Sequence, residues 1–221
     1  MHSATVTFNR PAGTQMRWIQ LDWIPEGYTT PGQFIQATIG DLKPGFFAIA
    51  SDPGTPIELL LKNAGPAAEA LCATQPGDFV QATDPMGKGF PVSATENRDW
   101  VVLVNGSGIS AIRPVINQAI RNGLTRDIHL LLGVKTPAHR AFLADLEWWA
   151  NAGVHVHTVC SEGEAAGWYG ATGFVQDTAQ ALGLVNDEVS VLLCGYPAMA
   201  EAAKALYATA GCPETQVLTN F

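Results

Sequence analysis

From Trp100 to Pro114 the chain reads WVVLVNGSGISAIRP, and more of its architecture follows from these fifteen residues than from any other segment. Val101–Val104 is a continuous apolar run, the pattern of a strand buried on both faces. The run breaks at Gly106 and Gly108. Ser110 is then placed to cap a helix that carries Pro114 in its first turns. Gly106-x-Gly108-x-x-Ala111 also has the G-x-G-x-x-G/A spacing. In such a turn the first glycine permits the bend, the second lets backbone approach a pyrophosphate, and the small third residue lets helix and strand pack closely. A purely structural strand–turn–helix has the same outline, so the surrounding sequence must discriminate.

Outward toward the C-terminus, strands and helices alternate. Apolar runs predict strands at Ile128–Gly133, Val154–Cys160, Val189–Cys194 and Gln216–Leu218. Helices are expected at Ser110–Asn122, Pro137–Asn151, Phe174–Leu182 and Pro197–Ala210. That order implies crossover connections and a parallel sheet covered on both faces. Outward toward the N-terminus the pattern changes to short strands: Ala4–Phe8, Met16–Trp23, Gln33–Ile39, Phe46–Ser51, Ile57–Lys62 and Asp78–Thr83, with one helix at Pro66–Ala73. They are separated by Pro-Glu-Gly, Thr-Pro-Gly, Asp-Pro-Gly and Gln-Pro-Gly turns, which suggests a small antiparallel barrel. The expected domains are 1–97 and 98–221, with the boundary in the polar connection Ala94–Asp99.

At 221 residues the chain has room for two such domains. Hydrophobic residues make up 47% and charged ones 14%, enough for large cores and too few charges for a disordered chain. The net charge of −8 and the lack of a basic stripe argue against nucleic acid as a partner. No run approaches a membrane span, and the N-terminal residues lack the apolar core of a signal peptide. Cys72, Cys160, Cys194 and Cys212 are scattered, without the C-x-x-C spacing of a zinc, iron–sulfur or dithiol centre. A reduced, cytoplasmic protein without a metal site is expected.

Seven landmarks then follow in order: Pro31-Gly32-Gln33-Phe34, Phe47-Ala48-Ile49-Ala50-Ser51, Asp84-Pro85-Met86-Gly87, Asn105-Gly106-Ser107-Gly108-Ile109-Ser110, Leu132-Gly133-Val134, Gly173-Phe174-Val175-Gln176 and Cys194-Gly195-Tyr196-Pro197-Ala198-Met199, before the closing Thr219-Asn220-Phe221. Together they resemble the ferredoxin–NADP reductase-like family over nearly the whole chain. The resemblance implies a flavin-binding barrel followed by a nicotinamide-binding α/β domain. It implies FAD (or FMN) and NAD(P)H as cofactors, hydride transfer from nicotinamide to flavin, and a separate electron-acceptor protein. Such chemistry needs two flat rings in contact more than it needs acid–base groups.

Carried onto this sequence, the flavin contacts would be Phe46, Phe47, Ala48, Ile49, Ala50 and Ser51, with Lys62, Gly65, Ala67 and Ala68 toward its phosphates. The dinucleotide contacts would be Gly106, Ser107, Gly108, Ile109, Ser110, Gly133, Lys135, Gly195, Tyr196, Pro197 and Met199. Cys194 would lie against the nicotinamide ring, and Phe221 would stack on the flavin as a movable shield.

The chain departs from the family at the flavin motif. Gly45-Phe46-Phe47-Ala48 stands where Arg-x-Tyr-Ser is usual, so the phosphate-pairing charge and both hydroxyls are missing. A charge-assisted phosphate contact is worth about 1.5–3 kcal/mol. Gly65-Pro66-Ala67-Ala68 likewise lacks a hydroxyl, leaving Lys43 or Lys62 as replacement cations. A second reading therefore stands beside the first: a nucleotide-binding subunit or sensor of the same fold that has lost flavin. Nicotinamide choice is divided too. Lys135, His139 and Arg140 favour a 2′-phosphate, whereas Glu162 after Ser161 repels one, and the balance tilts to NADH. His155 and His157 share a strand face without an evident third ligand. Of Trp148 and Trp149, one is expected to pack and the other to lie at a rim. Asp145 and Glu147 read as solvated helix charges.

Overall fold

The computed structural model describes residues 1–95, 98–164 and 167–220. Two six-stranded sheets organise it. The first comprises β1 (His2–Pro11), β2 (Met16–Leu21), β3 (Phe34–Thr38), β4 (Gly45–Ala48), β5 (Glu58–Lys62) and β6 (Phe79–Ala82), with the helix α1 (Pro66–Cys72) between the last two. Their order is β4-β3-β6-β1-β2-β5, with antiparallel pairing throughout. A bridge between Ile49 and Leu59 joins the two edges, making a nearly closed barrel. Alternate residues such as Val6, Ile19, Ile35, Leu59, Leu61 and Val80 fill it, as the period of two requires.

The second sheet is parallel, in the order β10-β9-β8-β7-β11-β12. Its strands are β7 (Trp100–Asn105), β8 (Ile128–Val134), β9 (His155–Cys160), β10 (Ala171–Thr172), β11 (Ser190–Cys194) and β12 (Val217–Thr219). Four helices connect them: α2 (Ile109–Arg121), α3 (Leu143–Asn151), α4 (Val175–Ala181) and α5 (Pro197–Thr209). Val102, Val104, Leu130 and Leu132 pack with α2 and α3 residues on one face. Val101, Leu103, Leu131 and Val191 pack with α4 and α5 on the other. Chain order steps from β7 to β8 on one side and later returns to β11 on the other, so a crevice opens at the carboxyl ends of β7 and β11.

The barrel and the parallel sheet share one core. Met16, Ala50, Leu60 and Phe90 belong to the same buried cluster as Trp100, Ile112 and Trp149. Arg113 on α2 crosses the seam, donating to Glu58 Oε2 at 2.7 Å, to Asp145 Oδ2 at 3.0 Å and to the Ala50 carbonyl at 2.9 Å. Its guanidinium lies over the Trp18 and Phe142 rings, 5.1 and 4.7 Å from their centroids. One turn further along, Asn117 accepts the Trp149 indole N–H at 2.9 Å and donates to Asp52, which also pairs with Arg121.

Several local expectations change. The segment expected as one helix over Pro137–Asn151 is a short turn, Pro137–His139, followed by α3 from Leu143. Phe142 takes φ 55°, a left-handed conformation that breaks the helix while its ring packs edge-on against Trp18. Asp145 is not solvated but half of the seam ion pair. Ser110 does not cap α2. Gly106–Gly108 forms a 3₁₀ turn, Gly108 is the cap residue, and the Ser110 hydroxyl donates to Ser107 O at 2.8 Å. Trp149 is fully buried and Trp148 lies at the rim. The expected domain boundary falls partly on Glu96 and Asn97, outside the described residues.

Candidate functional site

A cleft of about 480 Å³ opens at the crevice between β7 and β11. Asn105 and Gly106 end β7, and Gly133, Val134 and Lys135 end β8. Ser161 follows β9, Phe174 to Gln176 begin α4, and Tyr196, Ala198 and Met199 follow β11. The barrel supplies the remaining wall through Thr14, Met16 and Lys62. The β1–β2 hairpin is held there because Thr14 N–H donates to the Ala138 carbonyl at 2.8 Å. Lys62 Nζ donates to the Tyr196 hydroxyl at 2.7 Å, directly linking barrel and parallel sheet at the cleft.

The two turns that frame the cleft are locked together. Asn105 Oδ1 accepts the Tyr196 backbone N–H at 2.9 Å. Gly195 lies between them at φ 146°, and a Cβ there would come 2.0 Å from Asn105 Oδ1. No other residue fits. The two glycines after β7 divide their roles differently from the sequence expectation. Gly106, at φ 52°, faces open space at the cleft wall, whereas a Cβ on Gly108 would sit 2.7 Å from the Cys194 carbonyl. Gly108 therefore allows the strand ends to pack, and Gly106 is the glycine beside a ligand's path.

Of the dinucleotide contacts expected from sequence, Gly106, Gly133, Lys135, Tyr196 and Met199 line the cleft. Ile109 and Ser110 are buried in the first turn of α2 behind it. Ser107, Gly108, Gly195 and Pro197 shape its turns without lining it. Cys194 ends β11 beside these turns, and burial pushes its thiol up to about 12, which keeps it a neutral, polarizable side chain at physiological pH. Phe221 lies outside the described residues. Asn105, Thr14, Met16 and Ala198 were not among the expected contacts. Asn105 and Ala198 had a sequence signal, each lying in a landmark that follows a strand, whereas Thr14 and Met16 had none.

Gln176 Oε1 is a buried acceptor without a hydrogen-bond partner at the cleft wall, available to a ligand's donor. Lys135 Nζ pairs with Glu162 Oε2 at 3.3 Å, so the lysine beside the cleft is already partnered by a carboxylate. His139 Nδ1 lies 2.8 Å from the Thr136 hydroxyl.

Lys62, expected toward the flavin's phosphates, instead lines this cleft and is bound to Tyr196, and the other expected flavin contacts sit elsewhere on the barrel. Ile49, Ala50 and Ser51 are buried; Ser51 Oγ accepts the Glu58 N–H at 3.1 Å, and its carbonyl accepts the Tyr28 hydroxyl at 2.7 Å. Phe46 is exposed, while Phe47 and Ala48 are half-buried. Ala67 and Ala68 are buried in α1, whose cap residue Gly65 contributes no side chain. Phe46, Phe47, Ala48, Gly65, Ala67 and Ala68 offer a flavin's phosphate neither charge nor hydroxyl and the Ser51 hydroxyl is buried against Glu58, so to that extent they do not fit it.

His129 on β8 is the third member missing from the His155–His157 pair. Its ring stacks on His155 at 4.4 Å and on His157 at 5.7 Å between centroids. Among the described residues, no group of three histidine, cysteine or acidic side chains is arranged to hold a metal ion. Among them too, no helix is long and apolar enough to cross a membrane.

Residues 102–205 match the oxidoreductase NAD-binding domain. The two-domain fold is that of ferredoxin reductase-like proteins. The chain is 27% identical over 87% of its length to a fruit protein, pKIWI502, of Actinidia deliciosa, covering 66% of that protein. It is 25% identical over 80% of its length to an NAD(P)H-flavin reductase of Aliivibrio fischeri, covering 79% of that protein. A ferredoxin NADP+ reductase from Neisseria gonorrhoeae with bound FAD and NADP superposes with a TM-score of 0.82 at 18% identity, over 95% of this chain and 91% of that one. At that identity the superposition speaks for the fold. The chain spans 32–66% of the length of the fruit protein and two further curated relatives that it matches.

Proposed function

We propose that this protein is an NAD(P)H-dependent flavin oxidoreductase that passes electrons on to a separate acceptor. The observation that carries this reading is the cleft at the β7–β11 crossover, walled by both sheets. Dihydronicotinamide supplies a hydride, and a flavin accepts it. Gly106 leaves its backbone open to a pyrophosphate, at the place where open parallel sheets bind nucleotides. Asn105 and Gly195 hold the turn carrying Tyr196 in register with that loop. Cys194, kept protonated by burial, offers a nicotinamide ring a neutral soft surface and takes no covalent part. The Lys135–Glu162 pair favours NADH, because a ribose diol is accommodated beside a carboxylate and a phosphate dianion is repelled by it.

The test is anaerobic mixing of the protein with NADH and a flavin. Rapid loss of the flavin's visible absorbance, far above the protein-free rate, is expected. The barrel's bare phosphate positions favour the second reading, a nucleotide-binding subunit or sensor without flavin. Tight NADH binding with no flavin reduction would establish that reading and overturn the first.

A further inference from the structure

We propose that the cavity behind the β1–β2 hairpin is a second ligand site, which takes an organic monocarboxylate on Arg17. It is independent of what the cleft at β7 and β11 binds. The hairpin and the end of β5 each present two faces, as the period of two along a strand requires. Thr14 and Lys62 line the cleft. Their chain neighbours Gly13, Gln15 and Asn63, with Arg17, line another cavity of about 490 Å³. Met16 touches both and forms the partition. Cys72, the last residue of α1, completes the wall, so the cavity lies at the end of α1 remote from Gly65.

Asn9 on β1 holds this wall together. Its amide nitrogen donates to the carbonyls of Cys72 at 3.1 Å and Thr74 at 2.8 Å, which satisfies the carboxyl end of α1. Its side-chain oxygen accepts Arg17 Nε at 2.7 Å, and its backbone carbonyl accepts Arg17 Nη2 at 3.0 Å. The half-buried guanidinium is thus fixed by neutral groups, and its Nη1 has no partner among the described residues. The chain carries 20 acidic residues against 12 basic ones, and Arg113 and Arg121 are both paired with carboxylates. Among the described residues, none of those carboxylates pairs with Arg17.

A guanidinium held rigid with donors to spare is built to take a carboxylate. The groups around it are neutral: the Gln15 and Asn63 amides, and a Cys72 thiol that burial pushes up against the pull of Arg17. One positive charge therefore balances one negative charge. The second charge of a phosphate ester would stay uncompensated, with Glu69 exposed one turn before Cys72 on α1. Pro11, Met16 and the thiol add apolar wall. The volume is within the range of small-molecule sites and far exceeds that of a carboxylate group alone. An aryl or alkyl carboxylate is the ligand this set of groups selects.

The experiment follows alkylation of Cys72 by iodoacetamide, read by peptide mass spectrometry, in the full chain at constant ionic strength. Benzoate is the probe, benzamide its neutral isostere and phenyl phosphate the dianion. Benzoate should slow Cys72 labelling saturably, and benzamide should need about tenfold or more concentration for the same protection, the difference a charge-assisted contact makes. Arg17→Met should erase that difference. The comparison in the wild-type protein stands even if this variant fails to fold. Equal protection by benzoate and benzamide, or none from either, would overturn the proposal. Phenyl phosphate protecting about tenfold or more better than benzoate would overturn the monocarboxylate class.

Discussion

Asn105 and Gly195 act at the scale of single atoms. The Asn105 carboxamide oxygen occupies the volume a Cβ at Gly195 would need, and it satisfies the Tyr196 N–H. Asn105→Ala removes the acceptor and frees the turn, at a net cost of about 0.5–1.5 kcal/mol. NADH affinity measured by calorimetry should fall about three- to tenfold with the fold intact. Equal affinities would mean that the turn holds its shape unaided. Glu162 makes the complementary case. Its ion pair with Lys135 is half-exposed on both sides and contributes little to stability. Glu162→Ala should therefore leave the melting temperature unchanged while freeing Lys135 for a 2′-phosphate. The NADPH-to-NADH ratio of kcat/KM should rise by about tenfold; a constant ratio would remove this pair from cofactor choice.

Among the elements, β8 and β9 carry the strongest pH signature. Their in-register pairing brings His129, His155 and His157 together at the end of the strands opposite the cleft. Burial, then the neighbouring rings, holds the His129 and His157 pKa values below the ordinary value. In the unfolded chain these histidines take protons near the ordinary pKa of about 6.5. Between that value and their lower folded values, the unfolded state binds more protons, so stability must fall as pH falls. Above about pH 6.5 both states are neutral at these sites and the effect vanishes. Urea midpoints across this range should decline on the acid side, and His157→Gln should flatten the decline. A variant with the wild-type slope would place the acid sensitivity elsewhere.

For the whole molecule, the decisive feature is the seam. Because one buried cluster includes residues of both sheets, barrel and parallel sheet should melt together, with calorimetric and van't Hoff enthalpies in agreement. Arg113 holds two carboxylates there, with all three side chains 13–15% exposed. Arg113→Met would leave Glu58 and Asp145 facing each other without a cation, a loss of about 3–5 kcal/mol. Differential scanning calorimetry should show a lower and broader transition, separating into two if the halves are independently stable. A loss under about 1 kcal/mol would show the seam to be held by its apolar contacts alone.

Both sheets, their strand directions and the glycine turn at the candidate site could be read from the sequence. Alternation and continuous apolar runs record which faces a strand must bury, and Pro-Gly pairs record where backbone must turn. Those are local properties, and a local pattern suffices to state them. The helix break at Phe142 was not local, because it follows from packing against Trp18 across the seam. Nor was the pairing of Asp145, whose partner lies on α2, or the arrival of His129 beside the histidines of β9. The part of the cleft at the ends of β7, β8 and β11 was readable. Its barrel wall, Thr14, Met16 and Lys62, comes from a hairpin and strand remote in sequence, placed there only by the docking of the two sheets. The sequence alone therefore specified what each segment buries and where it bends. The tertiary structure decided which buried faces meet, because that depends on strand order and register, which no single segment encodes.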